Sequence, residues 1–298
     1  MLLTGNLGTA ILKSLLNANG DANGAKFDRY IACVHSHSSE KRLTEQFSEQ
    51  KEAGTLVISR GVNVQAAQDS NIIILGVDPS EVEPTLKQEG LSEALKGKLL
   101  ISVAAGWPRE KLEKLVSSDE SSEDEKNQTW VLRTLPNIAA LASQGLTAIE
   151  DPRKNFPEHY MTTAESIFNQ VGRTVHIAPR LMDATTAVGG STPAFFAVIC
   201  DALIDAAVAT GIPRGTAQQM IYQSMRGTAE MLQSGIHPGV LKDQGTSPEG
   251  CTIGGLMVLE EAGVRGSLGK ALREAVSIAR LMGSVEHVND TRQPDGSR

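Results

Sequence analysis

Aromatic residues make up only 4% of this 298-residue chain, and it holds just three cysteines. So few rings cannot build the stacking platform that grips single-stranded nucleic acid. Three thiols, none in a CxxC pair, cannot staple a chain of this length, and they read as reduced, intracellular side chains. Positive charge is also in deficit. The 28 basic and 35 acidic residues leave a formal charge of −7, which argues against a phosphate-backbone binder. No apolar run is expected to reach the roughly 18 residues of a membrane-crossing helix. The N-terminus lacks the basic region and long apolar core of a secretion signal. The six histidines do not pair with acids or cysteines at metal-ligand spacing. Neither GxSxG nor GxxxxGK(S/T) occurs, which disfavours serine hydrolase and P-loop chemistry. The 40% apolar content is that of an ordinary globular protein, expected to be cytoplasmic, with room for one large domain or two smaller ones.

The first half carries short apolar runs rich in Val, Ile or Leu: Ile31–Val34, Ile72–Val77, Leu99–Val103 and Val131–Leu135. Polar or Gly/Pro residues bound each run, the pattern of parallel strands buried on both faces. Helix-like segments lie between them at Leu7–Leu16, Ser39–Gln50 and Arg109–Val116. That alternation predicts a doubly wound sheet with right-handed crossovers. Ser117–Gln128 is acidic without apolar periodicity and reads as a solvated loop. After an edge strand at Thr174–Ile177 nearly everything reads as helix. Pro193–Ala209 is apolar on almost all sides, broken only by Asp201 and Asp205, so a second subunit is expected to cover it. Further helices are expected at Arg214–Ser234, Thr252–Glu261 and Ser267–Met282. The domain boundary falls near Ala178, giving domains 1–178 and 179–298, with a frayed tail from Asn289.

Several segments could carry chemistry. Gly5-Asn6-Leu7-Gly8 opens a helix, where glycines allow close approach of a pyrophosphate and free N–H groups favour an anion. Its GxGxxG match is incomplete, because Leu3 stands at the first glycine position and almost no chain precedes it to form a strand. The end of the next strand, His35-Ser36-His37-Ser38-Ser39, has no acid to accept a ribose hydroxyl. Hydroxyls at Ser36 and Ser38, with His35 or His37 nearby, suit a 2′-phosphate; the alternative is an N-cap for the next helix, and Ser38 or Ser39 could serve both roles. Leu75–Pro79, Ser102–Gly106 and Leu135–Asn137 are strand ends along one rim, and Asn137 could orient an amide. Lys242–Gly255 describes an exposed helix N-terminus rich in free N–H groups, a receptor for a small carboxylate. Cys33 and Cys200 lie in apolar segments and read as core thiols; Cys251 stands out by position only.

GNLGTAIL, NIIILGVDP, ISVAAG, VLRTLPN, DATTAVGGSTPAFF, GIPR and HPGVLKDQGTSPEGCTIGGLMVLEEAGVRG occur in this order between Gly5 and about Met282. In these segments the chain resembles the pyrroline-5-carboxylate reductase family. The resemblance implies a Rossmann-like domain, here N-terminally truncated, followed by an all-helical dimerisation domain in a homodimer or ring of dimers. It implies NAD(P)H-dependent reduction of Δ1-pyrroline-5-carboxylate to L-proline, with NADPH as cofactor and NADH as the alternative. By position, Gly5, Asn6, Leu7 and Gly8 would hold the pyrophosphate, and Ser36 and Ser38 the adenosine ribose phosphate. Asn63 would contact the cofactor. Gly76, Val77, Asp78, Pro79, Val103 and Ala105 would line its nicotinamide side. Gln244, Ser247, Gly250, Cys251 and Thr252 would bind substrate, with Thr252 donating to the ring nitrogen as the catalytic residue. The imine accepts hydride only when a donor steadies its nitrogen, so a hydroxyl suffices and no metal is needed.

Departures from the family pattern are Asp78 in place of a lysine, Thr192 in place of a glycine, Gly189 for a serine, and Pro136-Asn137-Ile138-Ala139 for PNTP. The absent first strand is the gravest, since its loss would bare neighbouring backbone groups. It leaves open either a late start or a weakened, non-catalytic paralogue. A related dehydrogenase acting on a β-hydroxy acid or a deazaflavin is a third reading, against which the TSPEGCT segment speaks.

Overall fold

The computed structural model describes residues 2–4, 6–18, 27–117 and 128–282. Most of the acidic run, the tail from Asn289 and Gly5 lie outside these described residues. The chain divides into two compact units, 1–190 together with 276–298, and 191–275.

The first unit runs β1 (Leu2–Thr4), α1 (Asn6–Ala18), β2 (Tyr30–Val34), α2 (His37–Gln46), α3 (Ser48–Glu52), β3 (Leu56–Arg60) and α4 (Asn63–Gln68). It continues with β4 (Ile72–Gly76), α5 (Val82–Leu86), α6 (Leu91–Leu95), β5 (Leu99–Ser102), α7 (Arg109–Val116) and β6 (Trp130–Pro136). Then follow β7 (Gly145–Glu150), α8 (Glu158–Asn169), β8 (Gly172–Ile177) and α9 (Met182–Gly190). The eight strands form one sheet in the order β3-β2-β1-β4-β5-β6-β7-β8. All neighbours are parallel except β6 and β7, which are antiparallel.

Alternate residues of β2, β4, β5 and β6 feed opposite cores. Ala32, Val34, Leu99 and Ile101 pack with Ile11, Leu12 and Leu15 of α1 and Phe168 of α8. Ile31, Cys33, Ile73, Leu75 and Leu100 pack with Ala67, Leu86, Leu95 and Leu112 on the other face. Both faces are covered, which is why these strands read as unbroken apolar runs rather than alternating ones.

The expectation of a missing first strand is overturned. β1 sits near the middle of the sheet, with Leu2 opposite Ala32 on one side and Ile74 on the other. Three residues are enough because a ladder on each side satisfies their backbone groups. The structural motive for reading the chain as a weakened paralogue falls with it. The predicted helix Ser39–Gln50 is two helices, divided at Phe47, whose backbone leaves the helical region (φ −123°, ψ 36°). Its side chain is buried in the core, so tertiary packing outweighs local helix propensity there.

The second unit is helical: α10 (Thr192–Ala209), α11 (Arg214–Gln233), α12 (Pro238–Gln244), α13 (Cys251–Glu261) and most of α14 (Val264–Leu281). α10 buries Cys200 and Ile204 on the side of α11, where Cys200 Sγ lies 3.4 Å from Met225 Sδ. Several of its other apolar side chains are exposed, among them Val198 at 70%, Phe196 at 51% and Leu203 at 49%. By length and composition the stretch Pro179–Ala209 could cross a membrane, contrary to the expectation that no run would qualify. Two aspartates interrupt the run by eye, but they do not offset the apolar residues around them.

Candidate active site

The strand order reverses at β1, between β2 and β4. In such sheets ligands gather outside the carboxyl ends of the strands at this reversal. α1 starts there with no acidic residue in its first turn, Leu7 half-buried and Gly8 buried, and the N-terminal end of a helix favours an anion.

Ser36 is the N-cap of α2 and accepts a hydrogen bond from Ser39 N at 3.1 Å. The hydroxyls of Ser38 and Ser39 lie 3.0 and 2.9 Å from Ser36 Oγ. Ser36 and Ser38 thus share one small hydroxyl cluster, and capping and ligand binding are compatible roles. With no carboxylate at the end of β2 and hydroxyls gathered on a helix N-terminus, these residues fit a dinucleotide bearing a 2′-phosphate.

Asn63 opens α4, and its Nδ2 donates to Gln88 Oε1 at 3.1 Å. At the end of β4, Leu75 and Gly76 are buried and Val77 is half-buried. Asp78 caps the helical turn Pro79–Glu81, accepting from Ser80 N at 3.0 Å and Ser80 Oγ at 2.7 Å. Those two donors hold its carboxyl below the usual aspartate range. A carboxylate in the lysine position thus has a local structural use. Val103 N donates to Leu75 O at 3.1 Å, which sets the ends of β4 and β5 side by side, with Ala105 half-buried just beyond.

Trp107, which the sequence reading passed over, joins the same two loops: its Nε1 donates to Pro79 O at 2.8 Å. The available signal was a tryptophan before a proline in a strand-to-helix turn. Asn137 is not free to orient an amide ligand. Its Nδ2 donates to Gly189 O at 2.9 Å and its Oδ1 accepts from Leu146 N at 3.1 Å, so both ends hold backbone.

Sequence reasoning also missed a buried ion cluster. Arg133 on β6 and Glu150 at the end of β7 are 3% and 2% exposed. Arg109 Nη1 lies 3.0 Å from Glu150 Oε1, Arg133 Nη1 lies 3.6 Å from Glu150 Oε2, and Arg133 Nη2 lies 3.0 Å from Asp183 Oδ1. Burial nevertheless raises the Glu150 carboxyl above the usual range, against the pull of Arg109 and Arg133. Charged residues scattered through sequence carry no pattern that announces such a cluster.

In the second unit, Gln244 ends α12 and is exposed. The loop after it turns on Glu249, whose φ of 58° is left-handed, and on a bond from Gly250 N to Ser247 O at 3.1 Å. Gly250 is the N-cap of α13, and a Cβ there would come within 2.4 Å of Ser247 Oγ. That hydroxyl can turn aside, and the nearest backbone atom, Ser247 O, would lie 3.2 Å from such a Cβ. Cys251 and Thr252 follow, both exposed, and no side chain caps the helix. The N–H groups of Cys251, Thr252 and Ile253 have no partner among the described residues. This is the bare helix mouth expected of a carboxylate receptor. The residues expected to bind a cofactor lie in the first unit, and those expected to bind substrate lie in the second.

A doubly wound sheet with a hydroxyl-lined end to β2, followed by an all-helical unit, is the organisation of an NADP-dependent oxidoreductase. Residues 2–106 match the family model "NADP oxidoreductase coenzyme F420-dependent", and residues 179–282 match "Pyrroline-5-carboxylate reductase dimerisation". The chain is 39% identical to a pyrroline-5-carboxylate reductase of Lophium arboricola over 97% of its length and 94% of the relative's. It is 36% identical to one of Neurospora crassa, over 88% of this chain and 83% of that one. Among solved structures, Plasmodium falciparum pyrroline carboxylate reductase with NADP bound superposes with a TM-score of 0.76 at 27% identity, covering 95% of this chain and 97% of that one. The chain belongs to the pyrroline-5-carboxylate reductase family.

Proposed function

We propose that the protein reduces Δ1-pyrroline-5-carboxylate to L-proline with NADPH as the hydride source, in proline biosynthesis. The observation that carries this reading is the end-to-end match to family members, 97% of this chain against 94% of the Lophium arboricola relative, which leaves neither half unexplained. The bare N-terminus of α13 supports the substrate side, since a carboxylate there takes up N–H groups that have no other partner among the described residues.

In this reading Gly5, Asn6, Leu7 and Gly8 hold the pyrophosphate, and Ser36 and Ser38 the ribose phosphate. Asn63 contacts the cofactor through the oxygen that its bond to Gln88 leaves over. Gly76–Pro79, Val103 and Ala105 border the nicotinamide. Gln244, Ser247, Gly250 and Cys251 form the substrate pocket. Thr252 donates its hydroxyl proton toward the imine nitrogen and so disperses the negative charge that builds there. Bound NADPH would supply the hydride. The functional boundary falls near Ala178, with cofactor binding before it and dimerisation and substrate binding after it. The outward apolar side chains of α10 favour a homodimer, or a ring of dimers, over a membrane as their cover. Free thiols and a formal charge of −7 support a cytoplasmic enzyme.

The test is fluorescence titration with NADPH combined with turnover on Δ1-pyrroline-5-carboxylate. Saturable binding and substrate-dependent NADPH oxidation are expected; no saturable binding up to millimolar NADPH overturns the reading. Thr252→Ala is expected to lower kcat by about 10- to 1,000-fold, the range for losing one transition-state donor. Unchanged turnover would remove Thr252 from that role.

A further inference from the structure

We infer that Arg60 is a cofactor-specificity residue, a cation that grips the 2′-phosphate of NADPH and makes this enzyme prefer it over NADH. The inference deepens the proposed function and rests on it. Arg60 is the last residue of β3 and pairs in register with Val34, the last residue of β2. That pairing sets it at the sheet edge beside the Ser36 cluster, two residues beyond Val34. The connection is continuous: Glu40 N donates to Ser36 O at 3.0 Å, and Glu40 Oε2 lies 3.3 Å from Arg60 Nε. The same carboxylate lies 3.4 Å from His37 Nδ1, so it is shared between two cationic or potentially cationic neighbours.

Glu40 engages the Nε edge of the guanidinium. The terminal nitrogens, the edge that binds phosphate through two parallel hydrogen bonds, have no partner among the described residues. Arg60 is half-exposed at its side chain, 52%, while Glu40 is at 33%, so the arginine is anchored at its stem and open at its tip. A carboxylate at the end of β2 would select a ribose hydroxyl, whereas a nearby arginine accommodates the 2′-phosphate. Here the acid lies in the first turn of α2 and is engaged by Arg60 and His37, and the strand end itself offers only hydroxyls, imidazoles and this arginine. Glu40 is therefore a positioning residue for Arg60 rather than a ribose ligand.

The experiment is equilibrium binding to the full chain and to Arg60→Gln, with NADPH, NADH, adenosine 2′,5′-bisphosphate and adenosine 5′-monophosphate as probes. The wild type is expected to bind NADPH more tightly than NADH. Arg60→Gln is expected to weaken NADPH and the bisphosphate by about 10- to 100-fold, as loss of hydrogen bonds to a charged group does, and to leave NADH and the monophosphate unchanged. Arg60→Lys, which keeps the charge but not the fork, is expected to fall between the two. If wild-type protein binds NADPH and Arg60→Gln weakens both dinucleotides equally, or neither, this inference is overturned while the proposed function stands. If neither dinucleotide saturates the wild type, the proposed function is overturned and this inference with it.

Discussion

Replacing Arg133 with methionine tests the reading of the buried ion cluster. The substitution keeps a long unbranched side chain in the core while removing one of two guanidiniums beside Glu150. Leaving one partner of a buried pair uncompensated typically costs about 3–5 kcal/mol. Arg109 still lies 3.0 Å from Glu150 Oε1, and Asp183 is 43% exposed and can return to water. The expected loss therefore sits at the lower end, about 3 kcal/mol. Both tryptophans, Trp107 and Trp130, belong to the first unit, so their fluorescence during denaturant unfolding reports this unit alone. The pH dependence has a definite sign. Burial already raises the Glu150 carboxyl in the fold, and losing Arg133 raises it further. The folded state then binds a proton that the unfolded state releases, so the variant's deficit shrinks as pH falls from neutral toward the ordinary glutamate range. A loss below about 1 kcal/mol, the scale of an exposed pair, would refute the cluster's structural weight. A deficit that widens on acidification would refute the account of Glu150.

Two further outcomes follow from the same structure. Val198→Glu places a charge on the outward face of α10, where the side chain is 70% exposed in the single chain. Light scattering is expected to show the dimer of the wild type shifted toward monomer; an unchanged mass would mean that this face is not the interface. Trp107→Phe removes the bond to Pro79 O, which ties the loops after β4 and β5. It should cost about 1 kcal/mol of stability and weaken NADPH binding several-fold, measured by titration. Full retention of affinity would separate those loops from the cofactor.

The apolar strands were legible because burial on both faces leaves an unbroken run of Val, Ile and Leu. Tyr30–Val34, Ile72–Gly76, Leu99–Ser102 and Trp130–Pro136 all appear within a residue or two of their expected places. β3 and β7 were not legible. LVISR at the sheet edge is only half-buried and ends in polar residues, and GLTAIE breaks the expected alternation by turning back antiparallel to β6. The helix mouth at Gly250–Thr252 was legible because a glycine after Ser-Pro-Glu leaves nothing to cap the helix that follows.

Sequence by itself determined the family, the two-part organisation and the hydroxyl-rich, acid-free end of β2, since each depends on residues that lie close together along the chain. Tertiary structure alone decided that three residues at the start suffice for an inner strand, because two neighbours complete their hydrogen bonds. It alone brought Arg60 beside the Ser36 cluster, Trp107 to the carbonyl of Pro79 and Arg133 to Glu150, because parallel pairing and crossover connections join residues whose separation in sequence carries no periodic trace.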